Sequence, residues 1–101
     1  MRRKAVDNSE LQHWRTLSVT EALPTIVDYA KIDGTFRLLK SAASTRWHAT
    51  VGDLHFEMLC TGPKFWDTRG KVGGCGAVDL AMHLLSVDFK RAVAILRTRG
   101  L

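Results

Sequence analysis

Thr68 to Gly76 reads Thr-Arg-Gly-Lys-Val-Gly-Gly-Cys-Gly, which sets two cations among four glycines just ahead of an amphipathic stretch that begins near Val78. Glycine lets backbone amides approach a phosphate closely, and the start of a helix carries partial positive charge. Arg69, Lys71, Gly73 and Gly74 are therefore candidate contacts to a nucleic-acid backbone. The same residues also suit a tight strand-to-helix turn that needs positive φ. Neither G-x-x-x-x-G-K-[ST] nor G-x-G-x-x-G is present, so nucleotide hydrolysis and dinucleotide binding have no motif behind them. Asp79 falls in the first turn of the helix, which suits the helix dipole but disfavours an incoming phosphate.

A second set of residues is aromatic. Trp47, Phe56, Phe65 and Trp66 are interleaved with Arg46, His48, His55 and Lys64. Rings beside cations on a sheet face hold single-stranded nucleic acid by stacking and phosphate neutralisation. Phe65 and Trp66 are consecutive, so in a strand they project to opposite faces and one must lie on the less covered side. Arg46, His48, Lys64 and Trp66 join the four loop residues as the candidate DNA-binding set. Trp47 and Phe56 read as core.

Metal and catalytic chemistry have little to work with. Cys60 and Cys75 stand alone, and His13, His48, His55 and His83 are scattered without paired ligand spacing. No Ser-His-Asp or Cys-His arrangement emerges, so no catalytic residue is assigned, and His83 is expected on the polar side of its helix. The last helix carries Lys90, Arg91, Arg97 and Arg99, of which the final two suit a helix C-terminus whatever they bind.

These groups must be positioned by a small body. The chain has 101 residues, 46% hydrophobic, enough for one domain with a modest core. Lys and Arg exceed Asp and Glu by 15 to 10, a net charge of +5 that fits a phosphate-rich partner. No apolar run approaches the ~20 residues that span a bilayer. The start, MRRKAVDNSELQHW, lacks the apolar region of a secretory signal, so no membrane partner and a cytoplasmic location are expected.

Residues 1–17 read as a flexible basic segment, and 18–101 as the domain. Ser18-Val-Thr-Glu21 has capping-box spacing, yet Pro24 suits a first helical turn, and the start is placed near Pro24. Leu23, Ile26, Val27 and Ala30 form an apolar stripe ended by Asp33-Gly34. Phe36 to Lys40 suggests a short strand or turn. Alternation over Trp47–Val51 and Leu54–Cys60 around Gly52-Asp53 predicts a hairpin, and Thr61-Gly62-Pro63 turns into a third strand, Lys64 to Asp67. Stripes at Val78, Ala81, Met82, Leu85 and at Phe89, Ala92, Val93, Leu96 predict two more helices, the second capped by Ser86 or Asp88 and stopped by Gly100. The expected class is α+β: a three-stranded antiparallel sheet, one N-terminal helix and two C-terminal helices.

Phe65, Trp66, Gly73, Gly74, Val78, Asp79, Leu80, Met82, Leu84, Phe89, Ala92, Val93 and Leu96 follow one another in an order that resembles the zinc-finger domain at the front of bacterial and plasmid DNA primases. The resemblance is good from Phe65 onward and loose from Pro24 to Lys64. It implies a zinc-ribbon-like sheet that contacts single-stranded template DNA during replication or transfer of a mobile element. The family's zinc ligands have no counterpart here: Trp66-Asp67-Thr68-Arg69 occupies the second ligand pair, and the first is missing. The resemblance therefore implies a zinc-less form with no cofactor. It also implies a non-enzymatic module that works with a separate primase, helicase or relaxase. A protein-interaction module that kept the fold without DNA contact is the alternative.

Overall fold

A computed structural model of the chain describes residues 8–34 and 44–101. Helices α1 (Asn8–Thr16) and α2 (Val19–Ile26) lead into strands β1 (Tyr29–Ile32), β2 (Ser44–Val51), β3 (Leu54–Thr61), β4 (Lys64–Asp67) and β5 (Val72–Cys75). Helices α3 (Ala77–Leu85) and α4 (Phe89–Thr98) follow. The class is α+β, as expected from the sequence. The described residues, however, form a sheet of five antiparallel strands rather than three, each paired with the next along the chain, and four helices rather than three.

The two unexpected strands have separate causes. The stripe Leu23, Ile26, Val27, Ala30 fits a helix, but the chain leaves α2 at Val27, whose φ of −100° and ψ of 166° are extended. Ala30 then pairs with Ala49 in β1. A short apolar run fits either period, and sheet pairing decides it. β5 was hidden by its glycines, which weaken strand propensity, yet Phe65 pairs with Gly74 and Trp66 with Gly73. The segment expected as Phe36 to Lys40 lies outside the described residues.

α2 begins at Val19, with Ser18 as its N-cap, rather than near Pro24. Pro24 sits inside the helix on its exposed side, where the lost amide bond is offset by burial of Val19, Ala22, Leu23 and Ile26. The amide of Val19, without a partner inside the helix, donates to the Gly62 carbonyl at 2.9 Å and docks the helix on the β3–β4 turn. Residues 8–16 fall in the stretch expected to be flexible, but they form α1, and Trp14 is 2% exposed in the core. Arg97 on α4 holds α1 in place through paired contacts to Glu10 at 2.7 and 2.8 Å. Arg99 donates to the carbonyls of Thr25 and Ile26 at the end of α2, at 2.7 and 2.6 Å. Both arginines are structural clamps.

The helices cover one face of the sheet. Ala49, Met58, Cys60 and Phe65 point into a core shared with Leu23, Ile26, Leu80, Leu84 and Leu96. The hairpin at Gly52 and the turn at Gly62 form as expected, with φ of 56° and 57°, a region glycine enters without steric cost. Asp88 caps α4 by accepting from the Arg91 amide at 2.8 Å. On α3 the buried stripe is Ala77, Leu80, Ala81 and Leu84, rotated from the expected Val78, Ala81, Met82 and Leu85. That rotation turns His83 toward the sheet.

Gly74 tests how tightly the β4–β5 hairpin is packed. A Cβ at this position would stand 2.7 Å from Cζ of Phe65 and 3.0 Å from Cβ of Asp79. Gly74→Ala should therefore lower unfolding stability by ~1–3 kcal/mol in a denaturant titration, as overpacked cores do. Gly34→Ala, with open space around the new methyl, should stay within ~0.5 kcal/mol of the parent.

Candidate nucleic-acid interface

Strand alternation sorts the candidates before any contact is considered. Register places Arg46, His48 and Thr50 of β2 on the same face as His55, Glu57 and Leu59 of β3 and Lys64 and Trp66 of β4. This is the face the helices leave uncovered. Phe65 is 5% exposed and Trp66 44%, so the consecutive rings divide as strand geometry requires. Trp47 and Phe56 point the other way and pack against the core, half-buried.

The two glycines of β5 are shaped by these rings. A Cβ on Gly73 would stand 2.9 Å from Cε3 of Trp66, and one on Gly74 would meet Phe65 from the opposite side. Each ring lies over the glycine opposite it. Gly73 thus forms the floor beneath the exposed indole, and Gly74 belongs to the core.

The loop envisaged as a phosphate cradle comes apart. Val72–Cys75 is a strand, so Arg69 and Lys71 sit in the β4–β5 turn, with the whole of β5 between them and the start of α3. At ~3.3 Å per residue that separation is about 13 Å. The start of α3 is itself covered, because a Cβ on Gly76 would meet Cα of Arg15 at 2.8 Å. Asp79 Oδ2 also accepts from the Cys75 amide there, at 3.1 Å. The structure thus brings Arg46, His48, Lys64 and Trp66 onto one face with Gly73 beneath. Arg69 and Lys71 stay at its rim, and Gly74 is excluded.

Acidic partners temper the cations of the face. Arg46 donates to Asp33 Oδ2 from Nε at 2.9 Å and from Nη2 at 2.7 Å, and its Nε lies 3.6 Å from Glu57 Oε1. His48 Nε2 sits 3.3 Å from the same Asp33 oxygen. Thr68 donates to Glu57 Oε2 at 2.6 Å. That hydrogen bond and the Arg46 charge outweigh desolvation and hold the Glu57 carboxyl below its ordinary range. Sequence reading missed Asp33 and Glu57 as partners, although the β2–β3 register expected from the Gly52-Asp53 hairpin already sets His48 opposite Glu57.

A second constellation joins the sheet to α3. Asp67 is 3% exposed and accepts from the amides of Arg69 and Gly70 at 3.0 and 2.9 Å, and from His83 Nε2 at 2.7 Å. Burial alone would raise its carboxyl pKa, but the Gly70 amide, His83 and the Arg69 amide outweigh it and hold the value below the usual 3.8. His83 packs edge-on to Phe56 and stacked on Phe65, at centroid distances of 5.8 and 6.0 Å, and does not lie on a polar helix face as expected. Cys60 is buried, and desolvation pushes its thiol up to about 12, which disfavours the thiolate that a nucleophile or ligand requires. Among the described residues, no three His, Cys, Asp or Glu side chains are grouped to hold a metal.

Because the folded-state value of Asp67 lies below 3.8, its stabilising contribution is present above 3.8 and is lost as pH falls through the folded value. Asp67→Asn should cost ~1–3 kcal/mol at neutral pH by weakening the turn and the His83 contact. The variant should also show a shallower loss of stability below pH 3.8 than the parent, read from denaturant midpoints across pH. Comparison of the chain with family models, with curated proteins and with solved structures finds no match in any of the three.

Proposed function

We propose that the uncovered sheet face binds single-stranded nucleic acid, DNA by preference, with one base stacked on Trp66 and the backbone passing Lys64. The observation that carries this reading is the exposed indole. A 44%-exposed tryptophan on a polar sheet face, supported by a glycine floor and flanked by Lys64 and the Arg46 row, suits a stacking platform better than a core residue. Base–aromatic stacking is worth ~1–3 kcal/mol per base and tolerates any sequence. The net charge of +5 favours encounter with phosphates, and Arg69 and Lys71 at the rim extend that field.

The chain then acts as a binding module rather than an enzyme. The resemblance to primase zinc-finger domains gives its setting: template DNA in the replication or transfer of a mobile element, with primer synthesis left to a partner primase, helicase or relaxase. No metal enters this reading. A protein-interaction face is the second reading, and one feature favours it: Arg46 is engaged by Asp33 and Glu57, so the face is less cationic than the composition suggests.

Trp66→Ala should keep the far-UV spectrum and thermal midpoint while weakening binding to a single-stranded oligonucleotide of about 15 nucleotides by ~1–3 kcal/mol. Duplex binding should change little, and single strands should quench tryptophan fluorescence in the parent more than in the variant. Loss of neither affinity nor quenching would assign the face to a protein partner.

Salt dependence measures the phosphates. Lys64→Ala should reduce the slope of log affinity against log salt by ~0.7, the value for one phosphate on a single strand. An unchanged slope would move the backbone path away from β4.

A further inference from the structure

Around the free edge of β5 from Trp66 lies a second feature, an open cleft of about 400 Å³ between β5 and α3. Gly73 belongs to both: the indole covers it on one side, and the cleft opens on the other. Phe65, Val72, Met82 and Val87 are its apolar lining residues, and Asp79 and His83 its polar ones. The volume lies within the range of about 300–1,000 Å³ that small organic ligands occupy.

The polar atoms define what fits. His83 Nε2 lies 2.7 Å from Asp67 Oδ2 and is taken up by that contact. Asp79 uses Oδ2 on the Cys75 amide, leaving Oδ1 for a ligand. The cleft therefore offers a carboxylate acceptor between apolar walls, and no Lys or Arg among the described residues lines it. That is the wrong sign for a phosphate and the right chemistry for an amine-bearing planar ring. On the strength of the nucleic-acid reading of the sheet face, we infer that this cleft takes a nucleobase adjoining the one stacked on Trp66 and selects bases with an exocyclic amine through the Asp79 carboxylate. Carboxylates accept from cytosine N4 in this way, whereas thymine places a carbonyl oxygen at the same position.

The test compares dC and dT oligonucleotides of equal length, about 15 nucleotides, at pH 8, where cytosine is neutral. The pair differs mainly at the edge the cleft reads. The parent protein should bind dC on the order of tenfold more tightly than dT, the size of one good base contact. Asp79→Asn keeps an oxygen for the Cys75 amide but removes the charge, and Val72→Phe fills the cleft from an exposed position. Both variants should bring dC affinity down to that of dT while leaving dT affinity unchanged. Equal affinities in the parent, or a preference that survives both variants, would overturn the cleft assignment and leave the Trp66 platform standing. Failure to bind either oligonucleotide would overturn the platform and the cleft together.

Discussion

Consecutive side chains of a strand point to opposite faces, and the remaining architecture of the hairpin follows from two aromatic residues placed side by side on β4. Phe65 faces inward and becomes core, while Trp66 is directed outward, 44% exposed. Each ring then needs room across the ladder, and the facing strand provides it with Gly74 and Gly73. The glycine pair that resembles a phosphate loop is thereby explained by packing. A ring on either side of a strand leaves no space for a Cβ, so the strand keeps its extended pairing at the expense of intrinsic propensity.

The joint between sheet and helices is polar. Asp67 ends β4, and its carboxylate closes the following turn through two backbone amides before reaching His83 on α3. A buried carboxylate is tolerable only when its lone pairs are satisfied, and here amides and an imidazole do so. His83 is in turn fixed between two phenylalanines. The turn, the sheet and α3 thus share one set of contacts, and a change in the charge of Asp67 reaches all three.

Charge is distributed differently from what a net value of +5 implies. Arg97 and Arg99 clamp α1 and α2 to the last helix, and Arg46 is held by Asp33 and Glu57. Arginine is suited to such roles because its planar fork makes paired bonds with carboxylates and carbonyls. Among the described residues, the cations left to face solvent on β4 and in the turn after it are Lys64, Arg69 and Lys71, on flexible stems that can follow a phosphate backbone. A basic composition therefore overstates the electropositive surface, because part of it is cementing the fold.

Local patterns were legible in the sequence where they rest on local physics. The Gly52 hairpin, the β4 span, the Asp88 cap, the Gly100 stop and the opposed directions of Phe65 and Trp66 all follow from alternation, turn chemistry and capping within a few residues. Tertiary structure decided the rest. Ala30 entered a strand rather than a helix because β2 offered it a ladder, and Val72–Cys75 became β5 because two rings needed glycine beneath them. Which of the two rings was buried depended on which face the helices covered. His83 turned inward because α3 rotated to meet a carboxylate that lies sixteen residues earlier in the chain. Periodicity along one segment carries no record of the partner that will face it, so orientation is settled only when the layers pack.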